Sequence, residues 1–265
     1  MLVTMTDAEP AGTAGGRERA RRIAVASGKG GVGKTWLAIT LGHALAAAGQ
    51  RVLLFDGDLG LANIDIQLGL SPKHDLGTVL SGAISLMDAI CPCPPVGFDM
   101  LAGRSGSGSL ASLATSRLDA LLIDLGLVPY ETILLDLGAG LETNTRRLAA
   151  WADTLLVVVT DEPTSLTDAY SVIKMHQSDG PGGDVRVVVN QAASQAAGKR
   201  TFETLARACQ QFLGLAPRLA GVVRRDEHVR DAIRRQTPLL IRHPACHAAE
   251  EVRQIGQALQ RQSPS

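Results

Sequence analysis

Residues 27–35 read Ser27-Gly28-Lys29-Gly30-Gly31-Val32-Gly33-Lys34-Thr35, and this stretch decides the fold. Before it, residues 22–27 form a short apolar run that reads as a buried strand. After it, residues 35–48 carry helical spacing and Gly49 ends the helix. Strand, glycine loop and helix start are the context that a phosphate-binding loop requires. Gly28, Gly30, Gly31 and Gly33 let the backbone curl around Val32 so that its N–H groups point inward. The helix N-terminus adds its partial positive charge at the same spot. Lys34 is then the candidate ligand of the β- and γ-phosphates, and the Thr35 hydroxyl the candidate ligand of Mg²⁺. Trp36 is a bulky residue for the first helical turn and is expected to pack on neighbouring core.

The chain has 265 residues, the upper end for one α/β domain and enough to bury a sizeable core. Lys plus Arg equals Asp plus Glu at 26 each, so no global charge pulls the chain toward nucleic acid or membrane. Residues 1–19 are small and polar, without the apolar core of a signal peptide, and read as a disordered arm. Residues 20–262 then form a single domain. No apolar run approaches transmembrane length, which predicts a cytoplasmic protein. Among the 4 cysteines, Cys91 and Cys93 form C-P-C while Cys209 and Cys246 stand apart, so structural use is expected. The alternative is a metal set of Cys246 with His243 and His247.

Beyond the loop, apolar strands alternate with helical stretches, the pattern of a doubly wound, mostly parallel sheet with helices on both faces. Strands are predicted at 51–55, 98–101, 132–136, 154–159, 185–190 and 219–223. Helices are predicted at 76–90, 110–126, 142–151, 165–177, 201–213, 227–236 and 246–260. Residues 103–108 and 180–183 are glycine-rich punctuation. Ligands of such sheets bind beyond the carboxyl ends of the strands, so the acidic residues there matter. One strand ends in Asp56-Gly57-Asp58, another in Asp136-Leu137-Gly138. Asp136 suits a water of Mg²⁺, and Asp58 suits the water that attacks the γ-phosphate. For Asp56, capping of the following turn competes with a functional role. After the strand at 185–190, Asn190 stands where GTP-selective switches carry Asn-Lys-x-Asp. The guanine-reading carboxylate is missing, so ATP is the expected nucleotide, with Asn190 as a candidate for the adenine edge.

Lys29 through Thr35 resembles the deviant Walker A loop of the MinD/ParA ATPases, a class of P-loop NTPases. Asp56-Gly-Asp-Leu-Gly-Leu-Ala-Asn-Ile-Asp65 resembles their second motif. With Leu68-Gly-Leu70, Gly103-Arg-Ser-Gly106, residues 136–142, 161–168 and 229–233, the wording is especially similar to the FlhG/FleN branch, which sets flagellar number and placement. The resemblance covers residues 20 to 260. It implies a homodimer closing on two ATP molecules with Mg²⁺, with Lys29 contacting the partner's phosphates and Asp58 positioning the attacking water. It also implies that Glu142 and Asp168 lie near the dimer face. The expected activity is slow ATP hydrolysis, read out by a flagellar GTPase or a flagellar transcriptional activator.

Three departures accompany the resemblance. The N-terminal arm lacks the Asp-Gln-Ala-x-x-Leu-Arg type segment that stimulates the GTPase FlhF. The family's Gly-x-Ile-Pro-x-Asp beside adenine reads Gly221-Val-Val-Arg-Arg-Asp226, with Arg224 for proline and a candidate for nucleotide contact. The C-terminal stretch has Val252, Ile255 and Leu259 at helical spacing but no aromatic residue, and Glu250 and Glu251 oppose anionic lipid. That stripe is expected to pack on the domain, with peripheral attachment to the inner membrane as the alternative. Arg218, Arg224, Arg225, Arg230, Arg234, Arg235 and Arg242 crowd a short segment, read as a solvated face or a patch for non-specific DNA. Alternative roles are a Min-type septum-site ATPase, a ParA-type partitioning ATPase that binds DNA, and a nucleotide sensor without turnover. An iron–sulfur carrier would need a paired C-x-x-C, which the sequence lacks.

Overall fold

The computed structural model describes residues 19–58, 62–103, 113–180 and 182–261. The elements are β1 (Arg21–Ala26), α1 (Lys34–Ala47), β2 (Val52–Gly57), α2 (Ile64–Leu68), α3 (Leu76–Leu80), α4 (Leu86–Ala89), β3 (Ile90–Cys93) and β4 (Phe98–Leu101). There follow α5 (Thr115–Leu127), β5 (Thr132–Leu137), α6 (Thr143–Trp151), β6 (Thr154–Val159), α7 (Pro163–Asp179) and β7 (Asp184–Ala192). The chain closes with α8 (Gln195–Leu213), β8 (Arg218–Arg224), α9 (Glu227–Arg234), α10 (Leu239–Arg242) and α11 (His247–Arg261).

The strands form an 8-stranded sheet in the order β3-β4-β2-β5-β1-β6-β7-β8. Every pairing is parallel except β3 with β4. Alternate strand residues feed the two sides. Leu53, Phe55, Ile133 and Leu135 pack into one core layer, and Val52, Leu54 and Leu134 into the other. Because both faces are covered, strands such as Thr154–Val159 read as unbroken apolar runs rather than alternating ones. The Trp36 side chain joins the layer under α1, as its sequence context suggested, although its indole N–H has no hydrogen-bond partner. In α11, Val252, Ile255 and Leu259 are all buried, and the helix packs on β8 and α1. The apolar stripe of the C-terminal helix is therefore used up inside the domain and is not free for lipid. No described helix is long and apolar enough to cross a membrane.

The structure corrects several sequence expectations. The helix expected over 76–90 is two short helices, α3 and α4. Ser81 C-caps the first, Gly82 follows at φ +75°, and Ser85 N-caps the second. Strand β3, which carries Pro92, has no counterpart among the expected strands. An edge strand tolerates proline, since its missing N–H points away from any partner. Helix α8 begins at Gln195 rather than 201: Ser194 caps it, and the loop-like Gly198 lies inside it because a Cβ there would meet Val222 Cγ1 at 2.3 Å. The short α2 and α10 were also missed. Arg19, assigned to the arm, donates to Asp153 at 2.8 Å. The rest of that arm, residues 59–61 of the second motif and 104–112 lie outside the described residues.

Candidate functional site

The order β2-β5-β1 sets three strand ends side by side, and register makes the arrangement tight: Asp56 pairs with Asp136, and Val25 with Asp136. The loop after β1 therefore faces the carboxylates that end β2 and β5. Its last residue, Gly33, takes φ +87° and starts α1 with no side-chain cap, and no acidic residue lies in the first turn. The first N–H groups of α1 are thus left for an anionic ligand rather than capped from within. Gly33 is required twice over, since a Cβ there would lie 2.4 Å from Asn190 Nδ2. At Gly28, a Cβ would meet the Asp168 backbone at 2.4 Å, which brings α7 against the loop.

The loop is braced from outside. Asn190 Nδ2 donates to Val32 O at 2.8 Å, and Gln191, in a left-handed conformation at φ 56°, donates from Nε2 to Gly31 O at 3.4 Å. Asn190 is buried, so one of its amide donors is committed to the loop rather than to a base. Loop, Asp58, Gly138 and Ile233 line a cleft of about 690 Å³. A second cavity of about 310 Å³, lined by Gly31, Gly33, Trp36, Asn190 and Arg224, borders it on the β7–β8 side.

The charges divide into buried and exposed sets. Lys34 Nζ donates to Asp136 Oδ1 at 2.9 Å, and both side chains are buried. Burial raises the Asp136 carboxyl above its ordinary range, while Lys34 and the Thr35 hydroxyl pull it back. Asp56, 1% exposed, accepts from the backbone N–H groups of Asp58, Asn63 and Ile64 at 3.3, 3.0 and 3.1 Å. It organises the turn into α2, the capping role that competed in the sequence reading. Burial, then the neighbouring Asp136, push its carboxyl up to about 7. Asp58 is half-buried on the cleft wall. Lys29 Nζ donates to Glu162 Oε2 at 2.5 Å and to Thr164 Oγ1 at 3.3 Å, so within one chain it is turned toward the start of α7. Both members of that ion pair are substantially exposed.

Arg224 donates from its backbone N–H to Glu251 Oε2 at 2.8 Å and pairs through Nε with Glu251 Oε1 at 2.5 Å. Elsewhere in the arginine cluster, Arg242 pairs with Asp231, and Arg235 lies 3.9 Å from the same carboxylate. All four cysteines are free. Cys246 groups not with His243 and His247 but with Asp226 and His228, their ligand atoms within 4.8 Å of one another. Asp226 Oδ1 accepts the His228 N–H at 3.0 Å as the N-cap of α9, which accounts for that grouping without a metal. The sequence reading gave no site role to Glu162, quoted only within residues 161–168, or to Glu251, read only as opposing anionic lipid. Glu162 follows β6, the neighbour of β1, so strand-end logic would have found it; for Glu251 no sequence signal exists.

A glycine loop between a central parallel strand and an uncapped helix, with Lys34 and Asp58 lining one cleft and Asp136 buried against Lys34, defines a P-loop nucleotide-binding protein. Residues 23–239 match the family described as the CobQ/CobB/MinD/ParA nucleotide binding domain, and the chain belongs to that family. It is 36% identical over 237 residues to the antiactivator FleN of Pseudomonas aeruginosa, covering 89% of this chain and 84% of that protein. It is 32% identical over 185 residues to the flagellum site-determining protein YlxH of Helicobacter pylori, covering 69% of this chain and 62% of that protein. These relatives set it in the FlhG/FleN branch of the MinD/ParA ATPases. Among solved structures, the MinC:MinD cell division protein complex of Aquifex aeolicus matches with a TM-score of 0.77 and 26% identity, covering 93% of this chain and 98% of that one. MinD of Pyrococcus horikoshii complexed with Mg-ADP matches with a TM-score of 0.77 at 24% identity, covering 91% and 96%; this likeness bears on the fold.

Proposed function

We propose that this chain, as a single domain over residues 20–262, is an ATP-dependent dimerising ATPase that hydrolyses ATP slowly and controls flagellar number or placement. The observation that carries the nucleotide reading is the meeting of the uncapped α1 N-terminus, Lys34, Thr35 and Asp58 on one cleft, with Asp136 buried against Lys34. The residues fit a triphosphate with Mg²⁺: the loop N–H groups and Lys34 suit the phosphates, while Thr35, Asp58 and Asp136 supply oxygen donors for the ion or its waters. The ion would neutralise phosphate charge. Lys34 exchanges part of its contact with Asp136 for phosphate oxygens, and Asp58 orients the attacking water, since this chemistry depends on positioning more than on a strong base. Gly28 through Trp36 hold the phosphates, with Asn190 and Arg224 on the base side. Lys29 leaves Glu162 to engage phosphates on a second copy, which links nucleotide state to dimerisation.

The names of the relatives, an antiactivator and a flagellum site-determining protein, support the flagellar output. The partner is accordingly a flagellar GTPase or a flagellar transcriptional activator, and the protein works in the cytoplasm. A steady-state phosphate-release assay on the wild type and Asp58→Ala tests the enzyme reading; equally negligible rates would overturn it. Light scattering with ATP and Mg²⁺ on Asp58→Ala should show about twice the monomer mass, and the Lys29→Ala change should weaken this. A monomer at saturating ATP would sink the dimer. Flagella counted by electron microscopy in cells lacking the gene should change in number or position, and an unchanged pattern removes the flagellar role.

A further inference from the structure

Glu251, near the start of α11, is 6% exposed, and both of its carboxylate oxygens are used. Oε2 accepts the backbone N–H of Arg224, while Oε1 faces Arg224 Nε and accepts from Gln195 Nε2 at 2.7 Å. A carboxylate withdrawn from water to this degree is tolerated only with such partners. No step of the ATPase scheme uses it. Its principal partner, Arg224, ends β8 and lines the cavity that borders the P-loop beside Gly31 and Gly33. Arg225 continues the same edge, tied by its N–H to Ala192 O at 2.9 Å. An unrestrained arginine loses considerable rotamer freedom when a ligand fixes it; a guanidinium already held by a carboxylate loses much less. Its planar face also suits the π-face of a base, whichever base that is.

We propose that Glu251 is a positioning residue for the nucleotide: it holds the Arg224 guanidinium in the wall of the cavity that borders the cleft on its base side, so that α11 shapes the binding site. This inference rests on the nucleotide reading of the preceding section. The test uses the full chain, ADP titration by calorimetry, and the steady-state KM and kcat for ATP. Glu251→Gln should raise the ADP Kd and the ATP KM by about fivefold, with kcat within about twofold. Arg224→Gln should do the same, and the double variant should be no worse than either single one, because the two act as a unit. Glu251→Asp, which keeps the buried charge but shortens its reach, should fall between.

An unchanged ADP affinity in folded Glu251→Gln, even with a lowered Tm, would make Glu251 a structural brace and overturn the proposal. Additive losses in the double variant would overturn it as well. If Glu251→Gln does not fold, unchanged affinity in both Glu251→Asp and Arg224→Gln has the same force. Failure of the nucleotide reading itself looks different: the wild type would bind no ADP, and Lys34→Ala would change nothing.

Discussion

On the nucleotide reading proposed above, the site has a phosphate wall in the cleft and a base-side wall in the cavity bordering it, and the two are built by opposite means. The phosphate wall is one continuous stretch, Ser27 to Thr35, facing carboxylates that sheet register brings opposite each other. The base-side wall is gathered from β7, β8 and α9 and fastened by α11, through contacts between residues 27 and 56 positions apart. The first wall is set by backbone conformation, the second by side chains meeting across the fold. Substitutions should therefore separate them: on the phosphate wall they remove chemistry, while on the base side they loosen a support.

The largest effect is expected from Lys34→Ala. ADP affinity measured by calorimetry should fall by about a hundredfold. Removal of one partner from the buried pair with Asp136 should also cost about 3–5 kcal/mol in denaturant unfolding. Loss of stability with binding intact would break the contrast between the walls. Next comes Ile255→Ala on α11. Ile255 is 2% exposed, and its removal should cost about 2–5 kcal/mol, read from the denaturation midpoint at unchanged slope. Gly221→Ala approaches the same contact from the other side, because a Cβ there would lie 2.5 Å from Ile255 Cγ1. Overpacking should cost about 1–3 kcal/mol. Its combination with Ile255→Ala should be less than additive, as the second change makes room for the first.

The most specific effect concerns pH. The Asp56 carboxyl rises from 3.8 to about 7 on folding, so between those values the folded chain holds a proton that the unfolded chain has released. The contribution to stability is complete below the lower value and is lost as pH rises through the upper one. Denaturation without nucleotide should thus show stability falling across this window, and Asp56→Asn should flatten the slope. A wild-type profile with no such slope would mean that the three backbone donors already hold Asp56 ionised.

Much of the phosphate wall was legible in the sequence because its residues are neighbours in the chain. The spacing of Gly33, Lys34 and Thr35 carries its own geometry, and Asp58 and Asp136 stand at recognisable strand ends. The sheet was legible for a related reason, since burial on both faces makes its parallel strands unbroken apolar runs. Edge strand β3, read only as the C-P-C of Cys91 and Cys93, was missed, and so was the start of α8, where Gly198 answers a packing contact with Val222 rather than a turn. The pairing of Lys29 with Glu162 within one chain had no signal in the sequence, because Glu162 lies more than a hundred residues away.

By itself, then, the sequence determined the strand–loop–helix unit, the alternation that makes the sheet, and the lysine and carboxylates of the phosphate wall. All of these follow from backbone conformation and apolar periodicity over short stretches. Only the tertiary structure decided that Asp56 organises a turn, that the stripe of α11 is buried, and that Glu251 is bound to Arg224. Those facts depend on which distant elements pack together, and the partners of a buried charge are fixed by that packing, not by its neighbours in the chain.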